Sequence, residues 1–218
     1  MSDLNTEIRN YFSLFRKADQ FAAGLPKRSR DLQLDERLCN IRSSFITFLF
    51  RKKRYKEVLV EGNLLGQKLK RHSEIFLNSL VANLSENMMY AAFYLDDLRT
   101  CIRHYNTWYR KTHHDEIARR LFGLIISFES GDLDHLYYRC RSFQYYLRKH
   151  HRSSTWEMDI LRTLGGDLRH FRPGKKNVHD FISLRKKLMK RKPQLKEFSA
   201  KGGFDYLGWV NQKVQLFG

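Results

Sequence analysis

Residues 117–143 read IARRLFGLIISFESGDLDHLYYRCRSF, and the spacing of their apolar residues decides the fold class. The first half has the pattern i, i+4, i+7, i+8, i+11 of one helix face, on Ile117, Leu121, Leu124, Ile125 and Phe128. Gly131 suits the left-handed turn that ends a helix, and Asp132 suits the cap of the next one. A second stretch has offsets 0, 3, 4, 7 and 10, on Leu133, Leu136, Tyr137, Cys140 and Phe143. The segment predicts two antiparallel helices joined by a tight turn.

The same offsets recur twice upstream. They fall 35 residues earlier, directly after Asp96-Asp97, on Leu98, Cys101, Ile102, Tyr105 and Trp108. They fall a further 43 residues earlier on Tyr55, Val58, Leu59, Gly62 and Leu65, where glycine occupies the one slot that does not match. An apolar partner segment precedes each stretch, at residues 38–48 and 80–93. A period near 35 residues is typical of stacked helical hairpins. The sequence therefore predicts an all-α fold of antiparallel helical hairpins, stacked as a tetratricopeptide-like superhelical repeat (an α-α solenoid).

Further helices are expected on either side of the repeats. Residues 4–21 predict an N-terminal helix that Gly24-Leu25-Pro26 ends, and residues 156–168 predict a helix that stops at Arg172-Pro173-Gly174. Asn177 is the expected cap of a helix that runs to about residue 192 and stops before Pro193. Residues 204–216 form a short apolar closing segment. The expected organisation is a repeat domain at 1–172, with a basic helix and closing segment at 173–218 packed on it.

Several short motifs carry a family resemblance. They are YLDDL at 94–98, ARRLF at 118–122, FESGDL at 128–133 and YYLRK at 145–149. With them, residues 89–168 resemble the tetratricopeptide-like helical-repeat region of many bacterial proteins from the Bacteroidota. FDYLGWV at 204–210 resembles the closing segment of those proteins. The resemblance implies an all-helical repeat fold and a protein-interaction scaffold. The regular small residues and closing prolines of standard repeats are missing, so no peptide-clamp residue is transferred.

The composition excludes two classes of protein. With 42% hydrophobic residues the chain is too apolar for a disordered basic tail, and with 29% charged residues it is too charged for a membrane protein. The longest stretch without a charged residue, 75–85, is about half of what a spanning helix needs. Residues 1–14 lack the basic start and apolar core of a signal peptide, and Cys39, Cys101 and Cys140 match no zinc or disulfide framework. A reduced, cytoplasmic protein is expected.

No constellation of residues indicates catalysis. The neighbouring pairs His113-His114 and His150-His151 point in different directions on a helix and are poorly placed to chelate one metal ion. The acidic pairs, such as Asp96-Asp97, lie at predicted helix starts, where carboxylates cap backbone amides. The glycine pairs lack the sequence context of a phosphate-binding loop. One class of all-helical ribonucleases uses an Arg followed by four to six residues and a His, but this spacing occurs here no more often than chance predicts. We therefore expect no enzymatic activity, no cofactor and no metal.

Positive charge is the strongest functional signal. The chain has 41 Lys+Arg against 23 Asp+Glu, a formal net charge of +18, and residues 141–218 hold 18 basic against 6 acidic residues. On a helical projection of the Asn177–Lys192 segment, one arc is apolar and contains Val178, Phe181, Ile182, Leu184, Leu188 and Met189. Two basic residues, Arg185 and Lys192, also fall within this arc. The candidate polyanion-binding residues of this segment are Lys175, Lys176, Lys186, Lys187, Lys190 and Arg191. A second group lies between two helices and consists of Arg51, Lys52, Lys53 and Arg54, and a smaller cluster contains Lys27, Arg28 and Arg30.

The sequence thus predicts a non-enzymatic helical-repeat scaffold whose basic C-terminal surface holds an acidic protein segment. The alternative is an RNA- or DNA-binding protein associated with ribonucleoprotein, because basic stripes attract polyanions by releasing counterions. In that alternative Tyr138 and Tyr145 would stack on bases, whereas Tyr137, Phe143 and Tyr146 are expected in the core. A helical nuclease or hydrolase is the third and weakest reading. Attachment of the basic helix to a membrane surface is disfavoured because its apolar face is needed for packing.

Overall fold

The computed structural model describes residues 32–69, 74–111, 116–151, 155–165, 175–200 and 203–217, with scattered positions between residues 6 and 24. Of this part of the chain 90% is helical and none is in a strand, which confirms the all-α class. The helices are α1 (Leu32–Arg51), α2 (Tyr55–Leu69), α3 (Glu74–Tyr94), α4 (Leu98–Lys111), α5 (Glu116–Glu129), α6 (Leu133–Lys149), α7 (Trp156–Gly165), α8 (Lys175–Lys190), α9 (Lys192–Ala200) and α10 (Tyr206–Phe217). The scattered positions before residue 25 are helical too, and the rest of the expected N-terminal helix lies outside the described residues. No described helix has the length and apolar character needed to span a membrane.

Two compact units divide the chain, Met1–Thr112 and His113–Gly218. In the first, α1 packs on α2, α2 on α3, and α3 on both α1 and α4. In the second, α5 packs on α6 and α7, α6 on α7, α7 on α8, and α8 on α10. The division lies inside the segment that the sequence assigned to one repeat domain (1–172), and that domain assignment stays a prediction.

Three tight turns join the predicted hairpins, and they have the same backbone geometry. Two positions before the second helix of each hairpin, the backbone has a left-handed conformation, with φ of 60° at Lys53, 58° at Asp96 and 69° at Gly131. In each turn the next N–H donates to a carbonyl five residues back at 2.9–3.0 Å: Arg54 to Leu49, Asp97 to Ala92, and Asp132 to Ser127. This is the bond that closes a helix end through a left-handed residue. The three hairpins therefore share one turn type.

The second helices of these hairpins begin where the repeated pattern begins, at Tyr55, Leu98 and Leu133. In all three the positions at offsets 3, 7 and 10 are buried: Val58, Gly62 and Leu65; Cys101, Tyr105 and Trp108; Leu136, Cys140 and Phe143. Offsets 0 and 4 are less buried and lie at the edge of each packed face. A Cβ at Gly62 would lie only 2.6 Å from Sδ of Met88 on α3, so a larger residue fits there only if Met88 moves.

In the second unit the closing segment completes the core around α5. Phe204, Tyr206, Trp209 and Val210 are buried. Nε1 of Trp209 donates to Oε1 of Glu129 at 2.6 Å, and Nζ of Lys213 donates to Oε2 of the same carboxylate at 2.6 Å. The indole ring also meets the ring of Phe128 edge to face, with centroids 6.0 Å apart. The last helix is thus attached to the end of α5 by a charge pair and by aromatic packing.

The region around Pro193 corrects the sequence analysis. The basic helix ends at Lys190, and a new helix, α9, begins at Lys192 where a stop was expected. Proline is well tolerated in a first helical turn, because its fixed φ suits a helix and its missing N–H has no intrahelical partner there. The helix also begins at Lys175, so Asn177 lies inside its first turn and is not its cap.

Candidate polyanion-binding surface

The packing of α8 separates an apolar face from a basic one. Phe181, Leu184 and Leu188 are 2%, 0% and 0% exposed, and they hold the helix on the core of the second unit. Val178 and Ile182 are half-buried. Met189, which the helical projection placed among the apolar packing residues, is 46% exposed, so it does not belong to the packed face. Helix α8 stops one residue after Met189, which leaves this side chain at the corner with α9.

Most of the predicted cations of α8 face solvent. Lys186, Lys187 and Lys190 are exposed, and Arg191 is partly buried in the turn between α8 and α9. Nζ of Lys187 lies 4.0 Å from Oδ1 of Asp159, a long ion pair with little stabilising value. Lys175 and Lys176 are the first residues of α8, and their side chains lie outside the described residues, as does the whole of the Lys27, Arg28 and Arg30 cluster.

Three more cations join this surface. Arg185, Lys192 and Lys196 are exposed on α8 and α9. The helical projection treated residues 177–192 as one helix and placed Arg185 and Lys192 within the apolar arc. In the structure α8 ends at Lys190 and Lys192 begins a new helix, and both Arg185 and Lys192 are exposed. We call the set Arg185, Lys186, Lys187, Lys190, Arg191, Lys192 and Lys196 the α8–α9 basic surface.

Two concavities lie in the α8–α9 basic surface. One, of about 460 Å³, is lined by Lys187, Lys190 and Arg191 with Asp159 and Gln194. The other, of about 480 Å³, is lined by Arg185, Lys192, Lys196 and Asp205, together with Met189, Leu195, Leu207, Gly208 and Asn211. Each concavity thus holds three cations beside a single carboxylate, and the second adds apolar contact area.

The other predicted basic group is partly neutralised within its own unit. Arg51, Lys52 and Lys53 are exposed at the α1–α2 turn. Nε of Arg54, however, donates to Oε1 of Glu57 at 2.8 Å, and the ammonium of Lys52 lies 5.4 Å from the ring centre of Phe48. This group is a weaker polyanion site than the α8–α9 basic surface.

Helix α6 presents exposed aromatic rings. Tyr138 and Tyr145 are 69% and 71% exposed, as the nucleic-acid alternative required. Tyr137, expected in the core, is 38% exposed. Its ring meets Tyr138 edge to face and has the guanidinium of Arg141 5.8 Å from its centroid. Its position at offset 4 places it at the rim of the packed face, outside the core. Phe143 is buried as predicted, and Tyr146 is half-buried.

The aspartates and histidines that the sequence offered as catalytic or metal-binding candidates can now be placed. Asp97 and Asp132 accept hydrogen bonds from the backbone N–H of Thr100 (3.0 Å) and His135 (3.1 Å), which confirms them as helix caps. The bond from Thr100 lowers the pKa of Asp97. His150 and His151 are exposed after the end of α6, and His113-His114 lies outside the described residues. Within the described residues no group of three metal-binding side chains comes together.

The cysteines are also structural. Cys39, Cys101 and Cys140 are buried free thiols. Burial raises the pKa of Cys101 and of Cys140 to about 12, so neither forms a thiolate near neutral pH.

Comparison with known proteins adds no assignment. No protein-family model, no curated protein sequence and no solved structure matches the chain. The class that fold and surface define is an all-α protein of packed helical hairpins with a basic surface in its second unit.

Proposed function

We propose that the chain is a non-enzymatic helical-repeat scaffold that binds an acidic protein segment on the α8–α9 basic surface. The observation that carries the proposal is the unpaired charge of that surface. Arg185, Lys186, Lys190, Lys192 and Lys196 are exposed, and within the described residues none of them has a hydrogen bond or ion pair. Unneutralised like charges in one place cost free energy through repulsion, and an anionic partner removes that cost.

The repeat interpretation rests on the three turns. One left-handed turn geometry and one set of buried offsets recur at Tyr55, Leu98 and Leu133. Repetition of one hairpin with contacts between neighbours is the design principle of helical solenoids, which commonly bind proteins along their surfaces. The resemblance to tetratricopeptide-like proteins supports the same interpretation.

The concavities favour an acidic peptide over a phosphate backbone. Each contains a carboxylate, Asp159 or Asp205, which would repel a uniformly charged strand. Discrete glutamate or aspartate side chains can instead occupy the cationic part of each concavity. The exposed Met189 beside the second one suits an apolar residue between the acidic ones. The expected ligand is therefore an acidic segment with interspersed apolar residues.

The test is fluorescence anisotropy with a labelled peptide of alternating glutamate and leucine. The triple variant Lys186→Gln/Lys190→Gln/Lys196→Gln should bind it about 3- to 150-fold more weakly, since each of the three exposed charges contributes about 0.2–1 kcal/mol. The matched control Lys56→Gln/Arg99→Gln/Arg110→Gln removes the same charge from exposed positions of the first unit. Equal weakening in both variants would show that only net charge matters and would refute the assigned surface.

The nucleic-acid alternative has its own supporting observation, the exposed Tyr138 and Tyr145 with exposed Arg141, Arg148 and Lys149 on the same helix. Rings that stack on bases contribute about 1–3 kcal/mol per base. If this alternative holds, Tyr138→Ala/Tyr145→Ala should weaken binding of a single-stranded oligonucleotide at least tenfold, with a steep salt dependence. Nuclease treatment during purification from the native cell should then remove the bound partner, whereas an acidic protein partner would remain.

A further inference from the structure

The second helices of the three hairpins share an exposed face as well as a buried one. At offsets 1, 5, 8 and 12 from the first residue of α2, α4 and α6, every side chain is exposed. They are Lys56, Val60, Asn63 and Gln67 on α2, Arg99, Arg103, Asn106 and Arg110 on α4, and Asp134, Tyr138, Arg141 and Tyr145 on α6. The exposed offsets differ in chemistry from one helix to the next. Because these side chains do not support the packing of the hairpins, they can contact a partner.

Helix α4 has arginine at three of its four exposed offsets. At about 100° per residue, Arg99, Arg103, Asn106 and Arg110 lie within an arc of about 60°. At about 1.5 Å per residue they extend along about 16 Å of the helix. We call these four residues the α4 arginine ridge. Helix α4 contains neither Asp nor Glu, so the ridge is a single row of positive charges.

The guanidinium groups of the ridge have no acidic partner. Arg99 and Arg103 make no hydrogen bond or ion pair within the described part of the chain. Nε of Arg110 donates to the carbonyl of Asn106 at 3.1 Å, a bond inside the same helix. The ridge therefore keeps its hydrogen-bond donors and its charge for a ligand.

The two ends of the ridge differ in net charge. Asp96 and Asp97 lie in the turn before α4, and the charge of Asp97, which caps the helix, attracts Arg99 and Arg103. Burial and the charge of Arg103 lower the pKa of His104 to about 4, so this neighbouring ring adds no positive charge at neutral pH. The Arg110 end is farther from the two carboxylates, and an anion should bind there more strongly than at Arg99.

A row of arginines matches a phosphate backbone. The planar guanidinium group donates two parallel hydrogen bonds to one phosphate, and such charge-assisted bonds are stronger than neutral ones. Its plane also stacks on unpaired bases. An acidic peptide with interspersed apolar residues fits less well, because no member of the α4 arginine ridge has an apolar side chain for those residues to contact.

The equivalent face of α2 favours one strand over two. In the same unit, the exposed offsets of α2 supply only one cation, Lys56, beside Val60, Asn63 and Gln67. A duplex presents two charged strands, whereas these two helix faces present one row of cations. A single row can follow the backbone of one strand.

We propose that the α4 arginine ridge binds single-stranded nucleic acid through its phosphate backbone. Phosphates lie at Arg103 and Arg110, and Arg99 contributes less because Asp97 offsets part of its charge. The site is separate from the α8–α9 basic surface and from the exposed tyrosines of α6, which belong to the second unit. It goes beyond the proposed peptide scaffold, and either proposal can fail without the other.

The test is fluorescence anisotropy on the full chain with a labelled single strand of twelve uridylates, titrated at several salt concentrations. In single strands each neutralised phosphate contributes about 0.7 to the slope of log K against log salt. Arg99→Gln/Arg103→Gln/Arg110→Gln should reduce the slope by about 2, the share of three contacts. It should also weaken binding about tenfold or more at low salt. Glutamine and arginine have similar helix propensities, so circular dichroism should not change.

Two control variants have changes of the same kind in the second unit. Lys186→Gln/Lys190→Gln/Lys196→Gln removes the same charge from the α8–α9 basic surface, and Tyr138→Ala/Tyr145→Ala removes the exposed rings of α6. Neither should change the salt slope. Conversely, the three-arginine variant should leave binding of the glutamate–leucine peptide unchanged. A duplex of equal length and a polyglutamate of equal charge should both bind more weakly than the single strand.

The single variants keep the test decisive should the three-arginine variant lose helix content. Arg110→Gln should then weaken binding more than Arg99→Gln, because Asp97 is near Arg99. Equal weakening by the three-arginine and three-lysine variants would show that only net charge matters, and loss of binding in the tyrosine variant alone would assign the site to α6. Either result would overturn the proposal. Equal or tighter binding of the duplex or of polyglutamate, or no binding of the single strand at about 50 mM salt, would overturn it too.

Discussion

Glu129 joins the closing segment to the second unit, and its replacement tests that packing. Both oxygens of its carboxylate accept hydrogen bonds, one from Trp209 and one from Lys213, each at 2.6 Å. The side chains of Lys213 and Glu129 are only 11% and 17% exposed. Glu129→Gln keeps the shape but has one accepting oxygen, so either the indole N–H or the ammonium must face an NH₂ group.

The expected cost follows from that loss. Breaking a fully buried ion pair costs about 3–5 kcal/mol, and the partial exposure of this pair reduces the figure to about 2–3 kcal/mol of unfolding free energy. Lys213→Met keeps the hydrocarbon stem and removes the charge, and it should cost about 1–2 kcal/mol. In the double variant the glutamine oxygen needs to accept only from Trp209. The two changes should then be less than additive by about 1–2 kcal/mol.

The assay is equilibrium urea unfolding, followed by far-UV circular dichroism and tryptophan emission. Glu57→Gln is the control, because Glu57 pairs with Arg54 in a more accessible contact, with side-chain exposures of 39% for the arginine and 33% for the glutamate. It should cost no more than about 0.5 kcal/mol. A similar cost for Glu57→Gln and Glu129→Gln, or strict additivity in the double variant, would refute the assignment of Glu129 as the anchor of α10.

Three further predictions concern the first unit and the turns. The folded pKa of His104 is about 4 against an ordinary 6.5, so stability should be full above pH 6.5 and fall toward pH 4. The loss between pH 7 and pH 5 should be about 2 kcal/mol, and it should be absent in His104→Leu when urea unfolding is measured at both values. Lys53→Gly should raise the melting temperature, because φ is 60° there and left-handed backbone costs about 1 kcal/mol in a residue with a Cβ. Gly131→Ala should lower it by a similar free energy for the same reason, with φ of 69°.

The hairpins could be predicted because their signal is local. Helical periodicity, a turn residue and an apolar partner segment all lie within about 35 residues, and together they determine where a helix begins. Tyr55, Leu98 and Leu133 were accordingly identified as the first residues of α2, α4 and α6. One further local signal was overlooked. Phe50, Phe93 and Phe128 all stand five residues before those starts, and each supplies the carbonyl that accepts from the left-handed residue of its turn.

The site was predicted less well, because it depends on where one helix ends and the next begins and on contacts distant in the sequence. A helical projection treats residues 177–192 as one helix, so it could not place Lys192, which begins α9. It also could not show that Arg185 and Met189, which lie on the apolar side of the projection, are exposed in the structure. The bonds from Trp209 and Lys213 to Glu129, which support the core beneath α8, join distant parts of the chain, and no spacing in the sequence reports such contacts.

The bonds from Trp209 and Lys213 to Glu129 span 80 and 84 residues of sequence. During synthesis the α5–α6 hairpin can form as soon as it leaves the ribosome, because its contacts are local. The core that supports α8 is completed only when residues 204–213 have emerged as well. The α8–α9 basic surface is therefore assembled late, so the nascent chain does not present this ordered cluster of positive charge while the second unit is still being made.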